Sequence, residues 1–383
     1  MKICIAIDSF KGSLSTFEAG EAARRGVKAV YPKAEISVSP LADGGEGTVE
    51  AIVSASGGKM IEVSVSGPLG RSVKAKYGAI DGTKTAIIEM ASAAGLTLLP
   101  EKDRNPLHTT THGVGEIILD AMKRGCRKFI IGIGGSATND GGVGMLSALG
   151  VAFLDKNGAP IKRGAAGLRD IAEIRTDGMP KELAKCRFSV ACDVKNPLCG
   201  EQGCSAVYGP QKGATPMTIA DMDRSLKKYA ELTKKIFPKA DPDLPGAGAA
   251  GGLGFAFTAY LGAKLRPGID LVIEATGLGE KIKEADVVVT GEGRLDGQSA
   301  MGKAPVGVAR LAKKQGKLVI ALAGSIGDGA ELCHAKGIDA HFPILRSPIS
   351  LSEAMKPEVA KRNIALAAEE AFRLIRATEK LKV

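Results

Sequence analysis

The sequence predicts an α/β protein of two domains, and three observations predict it. Short apolar runs at residues 2–7, 36–39, 286–290 and 318–322 alternate with polar, glycine-bearing loops and helical patterns, the texture of a buried parallel sheet. Between them, residues 62–65, 73–77 and 85–89 are strand-like runs joined by turn signals at Gly67-Pro68 and Asp81-Gly82, which predicts antiparallel pairing. The chain has 383 residues, 44% of them apolar, enough for two cores.

The elements follow in order. Residues 2–7 form a strand that opens into Asp8-Ser-Phe-Lys-Gly-Ser13. Ser15-x-x-Glu18 is a capping-box signature for a helix that runs to about Val30 and stops before Pro32. A strand at Ile36–Ser39 leads into Leu41-Ala-Asp-Gly-Gly-Glu-Gly-Thr48 and a helix ending near Gly57-Gly58. After the antiparallel runs, Val114, Ile117, Ile118, Ala121 and Met122 share one face of a helix over 113–124, with Gly125 as its stop. Phe129–Ile133 is a buried strand, and Val143, Leu146 and Leu149 mark a helix beyond its loop. Phe188–Cys192 is a strand ending in Asp193; Val207–Gly213 is a loop; residues 218–237 are helical; Pro245–Gly254 opens an apolar helix. The first texture then returns. Asp286–Thr290 is a strand followed by the loop Gly291-Glu-Gly-Arg-Leu-Asp-Gly-Gln298 and a helix to about Lys314, with strands at 318–322 and 340–344 and a helical C-terminal stretch. Residues 1–59 and 276–383 therefore build a Rossmann-like parallel α/β domain from both chain ends, and 60–275 form an inserted mixed α/β domain. The active site is expected in the cleft between them.

The formal net charge of +10 is spread along the chain without a dense run, and aromatics are only 4%, so nucleic acid is not the expected partner. A basic surface that attracts an anionic small molecule fits better. No apolar run reaches membrane length, and Met1-Lys2 leads straight into a strand, too short for a signal peptide. Seven cysteines, an odd number with no C-x-x-C pair, argue against a disulfide framework and for the cytoplasm. Oligomeric state is not legible.

The chemistry concentrates in Ile130–Gly142, I-I-G-I-G-G-S-A-T-N-D-G-G. A capped turn needs one or two glycines, and this stretch has five. Glycines let a backbone approach a ligand, and free N–H groups at a helix start attract phosphate. Gly134, Gly135, Ser136, Ala137, Thr138 and Asn139 are thus candidates for phosphate or nucleotide binding, and Asp140 for a metal. Acids recur in other loops after strands. Asp8 stands with Lys11, Asp43 with Glu46, Asp193 with Lys195, and Glu292 with Arg294 and Asp296. Carboxylates grouped with Lys and Arg suit Mg²⁺–phosphate chemistry. Asp43, Glu46 and Asp296 are the candidate metal ligands. Lys11 and Arg294 are candidates for phosphate contacts and Asp193 for the base that takes a hydroxyl proton. Asp8 and Ser13 are candidates for substrate binding, as is Arg71, whose planar fork matches a carboxylate.

No G-x-x-x-x-G-K-[ST] is present, nor a G-x-S-x-G elbow. Gly132-x-Gly134-x-x-Ala137, with Asp155 downstream, matches a dinucleotide fingerprint and supplies a rival, an NAD(P)-dependent oxidoreductase of a small hydroxy acid. A non-catalytic hydroxy-acid sensor is a second alternative. His108 and His112 have i,i+4 spacing, but Pro106 and three threonines argue for a loop.

Taken together, D-S-F-K-G-S-L (8–14), L-A-D-G-G-E-G-T (41–48), G-P-L-G (67–70) and G-G-S-A-T-N-D-G-G (134–142) resemble the bacterial glycerate kinase family. So do Asp193-Val-x-Asn-Pro-Leu198, Gly209-Pro-Gln-Lys-Gly-Ala214, Pro245-Gly-Ala-Gly248 and Thr290–Gln298, in order along nearly the whole chain. The resemblance implies ATP and Mg²⁺ as cofactors, D-glycerate as substrate and a phosphoglycerate as product, with 2-phosphoglycerate favoured. It also implies two α/β domains and a role in glyoxylate and sugar-acid catabolism.

Overall fold

A computed structural model describes residues 1–42, 44, 45 and 47–379. Asp43 and Glu46, two of the metal candidates, lie outside the described residues. In chain order the strands are β1 Lys2–Ile7, β2 Glu35–Val38, β3 Lys59–Ser66, β4 Ser72–Ile80, β5 Thr85–Glu89, β6 Lys128–Gly132 and β7 Ala152–Leu154. They continue with β8 Glu173–Arg175, β9 Arg187–Ala191, β10 Lys264–Arg266, β11 Val287–Leu295, β12 Leu318–Ile326 and β13 Ala340–Pro343. The chain divides into two compact units, Met1–Asp43 with Ser54–Ser56 and Ile269–Val383, and Gly44–Val53 with Gly57–Gly268.

The first unit carries a five-stranded sheet in the order β13-β12-β11-β1-β2, parallel throughout. Both faces are covered, which is why its strands read as continuous apolar runs rather than alternating ones. Ile3, Ile5 and Ile7 face a core shared with Val27, Ile364 and Phe372 of the helices Thr16–Val30 and Pro357–Glu379. The helices Leu278–Glu284 and Ala304–Lys313 also pack on the sheet. The capping box forms as expected: Ser15 Oγ accepts the Glu18 N–H and the Glu18 carboxylate accepts the Ser15 N–H. Gly26 lets the first helix and the last touch backbone to backbone, since a Cβ there would stand 2.0 Å from the Ala365 carbonyl oxygen. β1 lies between β2 and β11, so the chain leaves it on one side and returns on the other. The carboxyl ends of β1 and β11 flank that switch point, where open α/β sheets bind ligands.

Residues 291–295 are not a loop after a strand but the second half of β11, paired with β12 as far as Leu295 opposite Ile326. The glycines serve close strand approach: a Cβ at Gly291 would lie 2.1 Å from the Leu322 carbonyl oxygen, and one at Gly324 2.4 Å from that of Gly293. The turn begins only at Asp296.

The second unit carries a six-stranded sheet ordered β10-β9-β6-β5-β4-β3, antiparallel from β3 to β5 and parallel from β5 to β10. Phe129 and Phe188 stack at 4.8 Å on the adjacent strands β6 and β9. Residues 44–53 group with this unit because the helix Thr48–Ser56 seats Val49 and Val53 on Gly78 of β4, where a Cβ would clash with Val53 at 2.3 Å. The helix His112–Lys123 ends with Gly125 at φ +90°, as its pattern predicts, and His112 opens it rather than lying in a loop.

Candidate active site

In the second unit β6 runs out at Gly132, and the chain passes through exposed Gly134 and Gly135 before sinking into buried Ser136–Asp140. The loop is held by its carbonyls. Leu96 N–H donates to the Gly135 carbonyl at 2.9 Å, Thr109 Oγ1 to that of Ala137 at 2.8 Å, and Lys212 Nζ to that of Thr138 at 2.6 Å. A trans peptide sets its C=O and the next residue's N–H in opposite directions. Fixing the Gly135 carbonyl therefore turns the Ser136 N–H away from Leu96. The N–H groups of Gly134, Gly135 and Ser136 make no hydrogen bond within the described residues. That is a donor set open to an anion.

The helix behind the loop does not supply the rest. Asp140 is only 1% exposed, and its carboxylate accepts the N–H groups of Thr111 (2.8 Å), Gly142 (3.1 Å) and Gly144 (3.2 Å). Burial pushes its pKa up, against the pull of those donors. The start of the short helix Val143–Ala148 is thus already filled by the chain's own carboxylate. Asp140 is a structural anchor, not a metal ligand, and any phosphate cradle is confined to the Gly134–Ser136 backbone. Thr138 Oγ1 and Asn139 Oδ1 are buried without partners, while Asn139 Nδ2 donates to Ser205 Oγ at 2.8 Å. Thr138 and Asn139, both fully buried, line the loop's inner side.

Around this loop the unit gathers several other candidates. A Cβ at Gly132 would lie 2.6 Å from the Gly44 carbonyl oxygen, and one at Gly44 would lie 2.8 Å from Ala191 Cβ. The Gly44-Gly45 part of the 41–48 loop is therefore seated on the carboxyl ends of β6 and β9. Asp193, exposed just beyond β9, accepts the Gly268 N–H at 3.0 Å. Arg71 is exposed beside the Gly67–Gly70 turn; the Pro68 carbonyl of that turn accepts the Thr110 N–H at 2.9 Å, next to the threonine that holds Ala137.

The first unit holds the remaining candidates. Ile7 pairs with Gly291, so Asp8 and Glu292 are neighbours at the switch point, and both are buried. The Asp8 carboxylate takes the Ser9 N–H at 2.7 Å, and Glu292 takes the Ser299 hydroxyl. Lys11 is exposed on the tight Phe10–Leu14 turn, and Ser13 Oγ is buried without a partner. Asp296 caps the following helix, accepting Gln298 N–H at 2.9 Å and Ser299 N–H at 3.3 Å on Oδ1, while its Oδ2 pairs with Arg294 Nε at 3.3 Å. Among the described residues no group of three His, Cys, Asp or Glu is placed to hold a metal ion.

Lys212 and Glu89 were not singled out in the sequence. Glu89 ends β5 beside Gly132 and accepts the Val49 N–H at 3.0 Å. Its place at a strand's carboxyl end was visible, but its reach to another element was not. Asp155, the acid at fingerprint spacing, sits instead in a surface turn, taking the N–H groups of Asn157 and Ala159 at 2.8 and 3.0 Å. It has no dinucleotide role there.

Comparison with known proteins agrees with the fold. The family model described as the glycerate kinase family matches residues 3–376. A glycerate kinase of Halalkalibacterium halodurans is 48% identical over 369 residues, covering 95% of this chain and 97% of its own. The glycerate 2-kinase of Escherichia coli K12 is 48% identical over 370 residues with the same coverage. A crystal structure from Salmonella typhimurium LT2 superposes with a TM-score of 0.91 at 45% identity, covering 99% of each chain. With its two large sheets, its glycine loop and this match along nearly its whole length, the chain is a kinase and belongs to the glycerate kinase family.

Proposed function

We propose that this kinase transfers the terminal phosphoryl group of ATP to D-glycerate and that the product is 2-phosphoglycerate. Family membership supports the substrate, and the Escherichia coli relative, a glycerate 2-kinase at 48% identity, supports the position of transfer. The observation that carries the chemistry is the carbonyl-anchored loop whose Gly134, Gly135 and Ser136 N–H groups remain undonated.

The residues divide the work as follows. The Gly134–Ser136 backbone cradles phosphate oxygens, and Ala137, Thr138 and Asn139 hold its shape. Arg71 takes the glycerate carboxylate, which a guanidinium fork fits bidentately. Asp193 accepts the proton of the attacking hydroxyl, with one oxygen steadied by Gly268. In the first unit Lys11 and Arg294 neutralise phosphate charge, and Asp296 orients Arg294. Ser13, whose buried hydroxyl lacks a partner, offers it to substrate. Mg²⁺ commonly takes one or two carboxylates and completes its shell with phosphate oxygens and water. Asp8 and Glu292, adjacent hard-oxygen donors, fit that need, and Asp43 and Glu46 remain candidates on their sequence alone. The metal would draw charge from the transferring phosphoryl group.

No helix among the described residues is long and apolar enough to cross a membrane. We place the enzyme in the cytoplasm, where its seven unpaired cysteines would stay reduced, and in glyoxylate and sugar-acid catabolism. The test is NMR of the product formed from ATP, Mg²⁺ and D-glycerate. A 2-phosphoglycerate resonance is expected. Glycerate-dependent reduction of a nicotinamide cofactor without ADP formation would replace the reading with the oxidoreductase, and binding without any turnover with the sensor.

A further inference from the structure

The segment Gly209-Pro-Gln-Lys-Gly213 has no role in the site so far. It forms a short 3-10 turn, Pro210–Lys212, closed by Gly213 at φ +90°. Both glycines mark close backbone approaches. A Cβ at Gly209 would stand 2.2 Å from the Ser205 carbonyl oxygen, and one at Gly213 2.2 Å from that of Arg104. The turn between them drives Lys212 inward until it is only 1% exposed. There Nζ donates to the Thr138 carbonyl at 2.6 Å. Next to it, Asn139 Nδ2 donates to Ser205 Oγ, from the helix that leads into the same turn.

We infer that Lys212 is a positioning residue for the anion-binding loop: its buried ammonium fixes the Thr138–Asn139 peptide from behind and sets a positive charge under the Gly134–Ser136 cradle. The inference rests on the kinase reading for its anion, but not for the anchor. First, a neutral donor would serve a carbonyl at less cost, because desolvating an ammonium is far more expensive than desolvating an amide. The charge itself has a use where an anion arrives on the loop's other face. Second, the other carbonyl anchors, Leu96 and Thr109, come from before the loop in sequence; beyond them Thr111 holds the Asp140 side chain, and Lys212 is the donor to the Thr138 carbonyl. Gly251 fixes Gly141 by accepting its N–H at 2.9 Å, which leaves Thr138 to Lys212. Burial pulls the lysine pKa from its usual range down to about 8, with the buried Cys204 and Asp140 drawing it back up.

The full-length chain with Lys212→Met or Lys212→Gln tests this. Met keeps the stem and removes donor and charge; Gln keeps a donor and removes the charge. In hydrogen exchange, peptides over 134–141 of Lys212→Met are expected to exchange about tenfold faster than wild type, with β5, β6 and β9 unchanged. In steady-state kinetics the KM for ATP should rise about tenfold while that for glycerate moves less than about twofold, with Lys212→Gln between. Unchanged loop protection in folded Lys212→Met would overturn the anchor, and a parallel rise in both KM values would reduce Lys212 to general support. Should neither variant fold, wild type decides: Mg²⁺-free ADP should bind more weakly at about pH 9.5 than at about pH 7, and a flat profile would overturn the charge role. A wild type that turns over no glycerate, with the loop loosened in Lys212→Met, would end the kinase reading and leave the anchor standing.

Discussion

The Asp193 carboxylate accepts the Gly268 N–H at 3.0 Å, so the proposed base is also a fixed element of the strand-end architecture. The two roles separate by substitution. Asp193→Asn keeps an oxygen for Gly268 and loses basicity, so kcat is expected to fall at least about 100-fold, the scale of general-base catalysis, with little change in thermal stability. Asp193→Ala should in addition lose about 0.5–2 kcal/mol, the usual worth of such a cap. Urea melts of both variants alongside kcat measure the difference, and a near-normal kcat in the Asn variant would remove Asp193 from proton transfer.

Gly132 faces the Gly44 carbonyl across a gap with no room for a methyl group. Gly132→Ala must push Gly44 off the end of β6, since a Cβ at 2.6 Å from a backbone oxygen cannot be relieved by a rotamer change. Overpacking of this kind costs about 1–3 kcal/mol. The denaturation midpoint should drop accordingly, and the KM for Mg²⁺-ATP should rise with it if the displaced loop carries metal ligands.

Asp296 and Asp8 should respond differently to loss of charge. Asp296 is committed to a helix cap and to Arg294. Asp8 sits at the switch point beside Glu292. Titrating Mg²⁺ against activity, Asp8→Asn is expected to weaken activation about tenfold or more, on the scale of altered metal shells, and Asp296→Asn to leave it nearly unchanged. The opposite ranking would return Asp296 to the metal.

The pH dependence of Lys212 has opposite signs for stability and for binding. Its folded pKa of about 8 lies below that of an unfolded lysine. Below about 8 both states are protonated and the burial penalty is complete. As pH rises from there, the unfolded chain holds the extra proton and the penalty fades, so stability rises with pH. The Tm of wild type relative to Lys212→Met should therefore climb across that window, while nucleotide affinity falls with the lost charge. Asp140 and Cys204 are the titratable groups that face Lys212; both are retained in the variant, and the difference curve reads the lysine together with its coupling to them.

Much of the fold was legible because its signals are local. Ser15-x-x-Glu18 and Gly125 mark helix ends through contacts spanning a few residues, and the apolar runs of β1, β6 and β9 need no knowledge of partners. What failed depended on distant chain. Gly291 looks like part of a loop until β12 lies alongside, when a Cβ there would run into the Leu322 carbonyl oxygen and only glycine fits. Asp140 looks like a ligand donor until Thr111, far back in the sequence, claims its oxygens. Lys212 stands in the sequence only as one letter of the Gly209–Ala214 motif, because a lysine in a polar turn is ordinarily solvated; its own burial against the Thr138 carbonyl, while Pro210, Gln211 and Gly213 stay exposed, makes it unusual.

The contact of the helix Thr16–Val30 with the helix Pro357–Glu379 through Gly26 also sets a schedule for synthesis. The first helix is made early, yet its partner and the three strands β11, β12 and β13 are among the last segments translated. At about 5–20 residues per second the amino-terminal strand and helix wait tens of seconds for them. The second unit, contiguous but for the three residues Ser54–Ser56, has all its strands long before that. The nascent chain is thus a folded insert trailing an unfinished sheet, and the exposed edge of β1 is the part that a ribosome-bound chaperone would have to shelter.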